Sequence, residues 1–326
     1  MSHFIDNPIY NPVYPLSKPV IDEINNTITY NLLACADLDK KSVTSTNTYS
    51  SYLIKGTLTI SRDSKKAEIK FDSKAKVIST QYGFNNRGME LSDFAVFNGR
   101  LYSCDDKTGI VYEISNEKAI PWVILADGDG RQDKGFKAEW MTVKDEQLFV
   151  GSWGKEFTSE EGIPINDYQK WIKVISHTGQ VKHLNWTDVY NRMRDVLGYS
   201  FPGYLIHEAC CWDEINRKWY FLPRKASKEA YDEKKNEICG TNLLISMDEN
   251  LTNVNCIEIG KAEPTRSFSS LKFVPNTNNQ LIIAIKSQEY MGKCQTWVNM
   301  FDVNGNILVE DILISNYFKC ESIEFV

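Results

Sequence analysis

The chain has 326 residues, 42% hydrophobic and 25% charged, which is an ordinary globular composition with enough length to bury a large core. A formal net charge of −6 leaves no basic surplus, which argues against a partner bound through nucleic-acid phosphates. No run approaches the roughly 20 apolar residues of a spanning helix, and the eight cysteines show no CxxC spacing.

Met1 to Tyr14 is polar and punctuated by proline, with no apolar leader, so residues 1–25 read as an N-terminal extension of a single domain over 1–326. Strand-like runs follow at Ile28–Ala36, Tyr52–Ser61, Lys66–Phe71 and Lys76–Gln81. From there the sequence repeats itself. Five segments superpose at their starts: Ser92-Asp-Phe-Ala-Val96, Glu139-Trp-Met-Thr-Val143, Glu208-Ala-Cys-Cys-Trp212, Ser269-Ser-Leu-Lys-Phe273 and Glu321-Ser-Ile-Glu-Phe325. Each opens on Glu or Ser and carries Val or an aromatic four residues later. The first four pass through a polar turn into a second apolar run, and Asn98-Gly99 is a strong hairpin signal. The starts lie 47, 69, 61 and 52 residues apart, room for a four-stranded antiparallel sheet each time. Helical periodicity is nearly absent, the best stretch being Asp188 to Leu197. The last segment ends the chain and lacks partners downstream, so the N-terminal strands are predicted to complete its sheet. The expectation is an all-β, five-bladed β-propeller closed by its N- and C-terminal strands, which removes free edges.

In such a ring a repeated strand start sits at a repeated height around the central channel. Ser92, Glu139, Glu208, Ser269 and Glu321 would then face one axis. Carboxylates crowded this way repel one another unless a cation neutralises them. All five side chains offer oxygen, which favours a hard cation, and a wide irregular ring suits Ca²⁺ better than Mg²⁺. Strand-end residues bonding the channel rim would give the same pattern without a metal.

Familiar hydrolase signatures are missing. There is no GxxxxGK[ST] and no GxSxG, and His3, His177, His183 and His207 form no HExxH. Asp127-Gly-Asp-Gly130 fails as an EF-hand, because Gln132 replaces the turn glycine and Ala138 the bidentate Glu. It reads as an acidic turn between blades. Asn25, Asn185 and Asn250 head N-x-T sequons, which matter only in a secreted protein.

A linked set of motifs remains. Gly88-Met-Glu-Leu-Ser-Asp93, Leu101-Tyr-Ser-Cys-Asp-Asp-Lys-Thr-Gly109, Lys134-Gly-Phe-Lys-Ala-Glu-Trp140, Pro202-Gly-Tyr-Leu-Ile-His-Glu208, Phe221-Leu-Pro-Arg-Lys-Ala-Ser227, Phe268-Ser-Ser270 and Ile323-Glu-Phe325 follow in this order. From about Ala36 to Val326 the chain resembles the calcium-activated nucleotidase (apyrase) family. The resemblance implies a five-bladed propeller with one Ca²⁺ in the tunnel, held by Ser92, Glu139, Glu208, Ser269 and Glu321. It implies hydrolysis of nucleoside tri- and diphosphates, with no nucleic-acid polymer and no membrane span, by a monomer or weak homodimer. A secreted or secretory-pathway protein is implied as well, while the lack of a leader leaves the cytosol open. Two departures from the family pattern are Cys320-Glu-Ser322 for Tyr-Glu-Gly and Arg266-Ser267 for His-Gly.

A carboxylate must orient or deprotonate the attacking water, and Asp37, Asp39, Asp93 and Asp106 are the candidates. Asp106 reads equally as a turn residue. Lys137 and Arg224 could contact phosphates, Arg224 through its bidentate fork, or it could instead pair with a blade carboxylate. Trp140 could stack on a base or pack between blades, while Trp122, Trp212 and Trp219 read as core. The rival reading is a non-catalytic calcium-binding propeller serving as a protein or glycan platform. Acidic residues outside the ring set speak against it. A lactonase or phosphotriesterase on the same scaffold is disfavoured by the lack of a histidine-rich rim.

Overall fold

Tight turns set the registers. Asn98 and Gly99 both have positive φ, 51° and 68°, the backbone that matches the twist of a two-residue hairpin. Asp145–Glu146 makes the same kind of turn without glycine, at φ 48° and 59°. The computed structural model describes residues 9–326, so His3 and the first part of the expected extension, 1–8, lie outside the described residues.

The strands assemble into successive antiparallel sheets. The second sheet is Leu91–Phe97, Arg100–Asp105, Ile110–Ser115 and Lys118–Ile124; the third is Trp140–Lys144, Gln147–Gly151, Trp171–Ser176 and Val181–Asn185. The fourth is Tyr204–Asp213, Lys218–Ser227, Leu243–Asp248 and Val254–Glu258. Arg266–Phe273, Leu281–Tyr290, Lys293–Asp302 and Ile307–Ser315 form the fifth. In the first sheet, Thr27–Asp37 pairs on one side with Thr48–Ser61 and on the other with the C-terminal strand Lys319–Phe325. Leu32 lies opposite Phe325 and Asp37 opposite Lys319. The lead strands of the second to fifth sheets adjoin in chain order, and Lys319–Phe325 touches both Arg266–Phe273 and Leu91–Phe97. This is an all-β propeller arrangement. The main helix, Thr187–Val196, sits within the long second repeat, after the last strand of the third sheet, as expected. No helix among the described residues is long and apolar enough to cross a membrane.

Strand alternation explains why the lead strands read as continuous apolar runs. Leu32 and Ala34 enter one core cluster, while Leu33 and Cys35 enter the next. Ala95 and Phe97 likewise pack toward the third sheet, and Phe94 and Val96 toward the first. Among the described residues five clusters result, each between adjoining sheets. Buried on both faces, these strands need side chains that fill space on either side.

Candidate active site

Four of the five expected ring positions share a backbone device that the sequence does not display. Ser92 is skipped between the Leu91–Asp105 and Asp93–Cys104 pairs, and Glu208 between the pairs of His207 and Ala209. Ser269 is skipped between Phe268 and Ser270, and Glu321 between Cys320 and Ser322. Each of the four is the extra residue of a β-bulge, which leaves the ladder and re-aims a side chain. Glu139 immediately precedes its strand, its N–H bonded to the Gly151 carbonyl at 2.8 Å. Ser92, Glu139, Ser269 and Glu321 are buried.

Around them lies a network of charge. Lys137 bridges Asp106 and Glu139, at 2.8 Å from the latter. Arg224 bridges Glu208 and Glu321, its Nη1 3.0 Å from Glu321 Oε1. Lys319 reaches Asp37 at 3.0 Å, Asp39 at 3.1 Å, Glu289 at 3.4 Å and Glu321 at 3.5 Å. Arg87 holds Glu90 through its Nε at 2.6 Å and lies 3.6 Å from Asp39. Eight carboxylates thus share four cations, a surplus of four negative charges by formal count. Asp37, Asp39 and Glu90 bring carboxylate oxygens within 4.8 Å of one another, and the buried Oδ1 of Asp106 has no hydrogen-bond partner.

The surplus shows in the proton affinities. Burial, offset only in part by Lys137 and reinforced by Glu208, pushes the Glu139 carboxyl up to about 8. Glu321 is raised well above the usual range, again mainly by burial. Burial raises Asp37 to about 6 against the opposing Lys319 ammonium, and Glu90 to about 7 against Arg87. For Asp39 burial is outweighed by Lys319 and Arg87, which draw it below its ordinary value. Such a donor set, all oxygen and short of positive charge, fits a hard divalent cation.

The structure gathers Asp37, Asp39, Asp106, Lys137 and Arg224 into this network. It also adds Lys319, Arg87, Glu90 and Glu289, to which the sequence reading assigned no role. Of the two readings for Arg224, it makes the carboxylate pairing.

One expectation is corrected, and one pair of open readings is decided. Asp93 does not join the charge network, because its carboxylate is enclosed among the packed lead strands. It is buried and accepts from the N–H groups of Phe94 and Met141, each at 2.8 Å, and from Ser322 Oγ at 3.0 Å. Lys272 lies 3.3 Å away, so no oxygen is left to activate water. Asp93 ties sheets together. Asp93→Ala should therefore cost about 3–5 kcal/mol of unfolding free energy, the range for stranding a buried ionic partner. Chemical denaturation checks this; unchanged stability with lost turnover would restore Asp93 as a catalytic group. Trp140 is fully buried against Trp186 and Phe221, its Nε1 donating to the Ser152 carbonyl at 3.1 Å. It presents no face to a base. The packing reading holds.

Comparison with known proteins decides the family. The apyrase family model matches residues 37–326. The chain belongs to the apyrase family. It is 45% identical over 318 residues to soluble calcium-activated nucleotidase 1 of Rattus norvegicus, covering 97% of this chain and 78% of that protein. Apyrase apy-1 of Caenorhabditis elegans is 45% identical over 299 residues, covering 91% and 84%. Apyrase of Cimex lectularius is 41% identical over 320 residues, covering 97% and 87%. The membership expected from the motifs is met, and with it an enzyme that hydrolyses nucleotides.

Proposed function

We propose that the chain is a Ca²⁺-dependent nucleotidase, converting nucleoside tri- and diphosphates to monophosphate and inorganic phosphate. The observation that carries this reading is the set of four bulges which, with Glu139, lift five oxygen donors out of the strand ladders beside a charge-deficient network. We read the scaffold as a single five-bladed domain, its ring closed where the N-terminal and C-terminal strands pair. It acts outside the cytosol, as a monomer or weak homodimer.

Ser92, Glu139, Glu208, Ser269 and Glu321 are the residues that would hold calcium. Bound there, Ca²⁺ supplies Lewis-acid polarisation of phosphoryl oxygens and offsets charge in a loose transition state. Asp37 takes the proton of the attacking water; its raised proton affinity suits a general base near neutral pH. Lys319, opposite Asp37 in the sheet register, positions that carboxylate. Lys137, now paired with Glu139, and Arg224, now paired with Glu208 and Glu321, would bind phosphate oxygens.

Product analysis tests the reaction. Each nucleoside triphosphate consumed should yield monophosphate and two inorganic phosphates, with no pyrophosphate. Release of pyrophosphate, or no turnover of any nucleotide in calcium, would refute the assignment.

A further inference from the structure

A nucleoside diphosphate needs a surface for its base within reach of the phosphate-binding cations, and Trp140 is not that surface. Among the described residues, Trp153 is the aromatic whose ring lies over a cation of the network, with Lys137 Nζ 5.2 Å from its centroid. That same ammonium is 2.8 Å from Glu139. One lysine spans the gap between the indole and the ring. The Trp153 carbonyl accepts from His207 N–H at 2.9 Å, the residue before Glu208, so Trp153 is anchored beside two ring positions.

The indole is held in orientation. Its Nε1 donates to the Lys155 carbonyl at 3.1 Å, and the Lys155 ammonium lies 5.1 Å from its ring and 4.3 Å from that of Tyr231. Phe157 lies nearly parallel to Trp153, with centroids 6.4 Å apart and 14° between planes. Both are only partly buried. The hairpin of Phe157–Thr158 and Pro164–Asn166 packs on the segment before the short helix Glu233–Asn236, since a Cβ at Gly162 would meet the Tyr231 carbonyl at 2.4 Å. Insertions of two neighbouring sheets thus pack on one another next to the pair. A braced aromatic surface next to phosphate-binding cations is the arrangement that recognises a base by its π-face.

We propose that Trp153, extended by Phe157, is the stacking surface for the nucleobase, and so determines the preference for nucleotides over inorganic polyphosphates. The inference rests on the nucleotidase reading. It sets Trp153 against a competing wall, the exposed Tyr317 beside the cavity of about 350 Å³ lined by Lys40, Lys41 and Lys319.

The test is calorimetric, in calcium, with α,β-methylene analogues of ADP and UDP and with inorganic methylenediphosphonate as the base-free probe. The ratio of nucleoside to base-free affinity should fall roughly 5- to 150-fold in Trp153→Leu, which keeps apolar bulk but loses the π-face. Trp153→Tyr should restore most of the ratio, Phe157→Leu should lower it less, and Tyr317→Ala should leave it unchanged. If Trp153→Leu does not fold, Phe157→Leu and Trp153→Tyr still carry the comparison. An unchanged ratio, an equal loss for both kinds of probe, or a base-confined loss in Tyr317→Ala overturns the proposal. A wild type that binds neither probe nor hydrolyses any nucleotide refutes the nucleotidase reading itself, and the stacking surface with it.

Discussion

Asp37→Asn lowers turnover by about 10²- to 10⁴-fold, the usual range for loss of a general base, while calcium still stabilises the fold. The substitution keeps the shape of the side chain and its reach toward Lys319, but it removes the charge that accepts a proton. The pH profile supplies a second readout. Asp37 is raised to about 6, chiefly by burial, so in the wild type the base is protonated and inactive on the acid side of that value. A bound divalent cation would bring it down from there. The acid limb of kcat/KM therefore falls at or below about pH 6, and Asp37→Asn should flatten it as it lowers the plateau. Turnover within a few-fold of wild type, with the acid limb intact, would show that the catalytic carboxylate is elsewhere. Asp106, with its unpartnered Oδ1, is the next to examine.

Glu208→Ala should lose calcium response and activity together. In the proposed donor set Glu208 is one of three carboxylates, and calcium affinity follows the charge count of the ligands. Removing it also lets Arg224, which now divides between Glu208 and Glu321, settle wholly on Glu321 and compete with the cation there. A roughly 10²-fold loss of affinity is expected. At calcium one hundred times the wild-type Kd, stabilisation of about 2.7 kcal/mol would shrink to about 0.4 kcal/mol. Thermal melts with and without calcium read this directly. A variant that keeps the full calcium-induced rise in Tm would remove Glu208 from the donor set.

Much of this was legible in the chain. The repeat reads because every lead strand is buried on both faces and so must carry the same apolar spacing. The column of Glu and Ser reads because one strand position recurs in each repeat. The bulges that lift those side chains out do not read, since an extra residue is visible only against its pairing partner. Lys319 escaped notice for a related reason: it meets Asp37 only when the two ends of the chain pair. Glu90 lies inside a quoted motif, but its role depends on Arg87 and Asp39 folding against it. Asp93 was misassigned by its proximity in sequence to Ser92, while Trp140, next to Glu139, was left between stacking and packing; their burial decides both. Trp153 has no motif, and only its exposure and its neighbours single it out.

The most direct test is the rate of phosphate release from ADP and UDP as free Ca²⁺ is raised from chelated to millimolar levels, with Mg²⁺ in parallel. The account predicts no turnover in chelator, a single-site saturation curve in calcium, and poor rescue by Mg²⁺, whose demand for a tight octahedron the proposed ring would not meet. Full activity in chelator, or equal turnover with either ion at saturation, would contradict it.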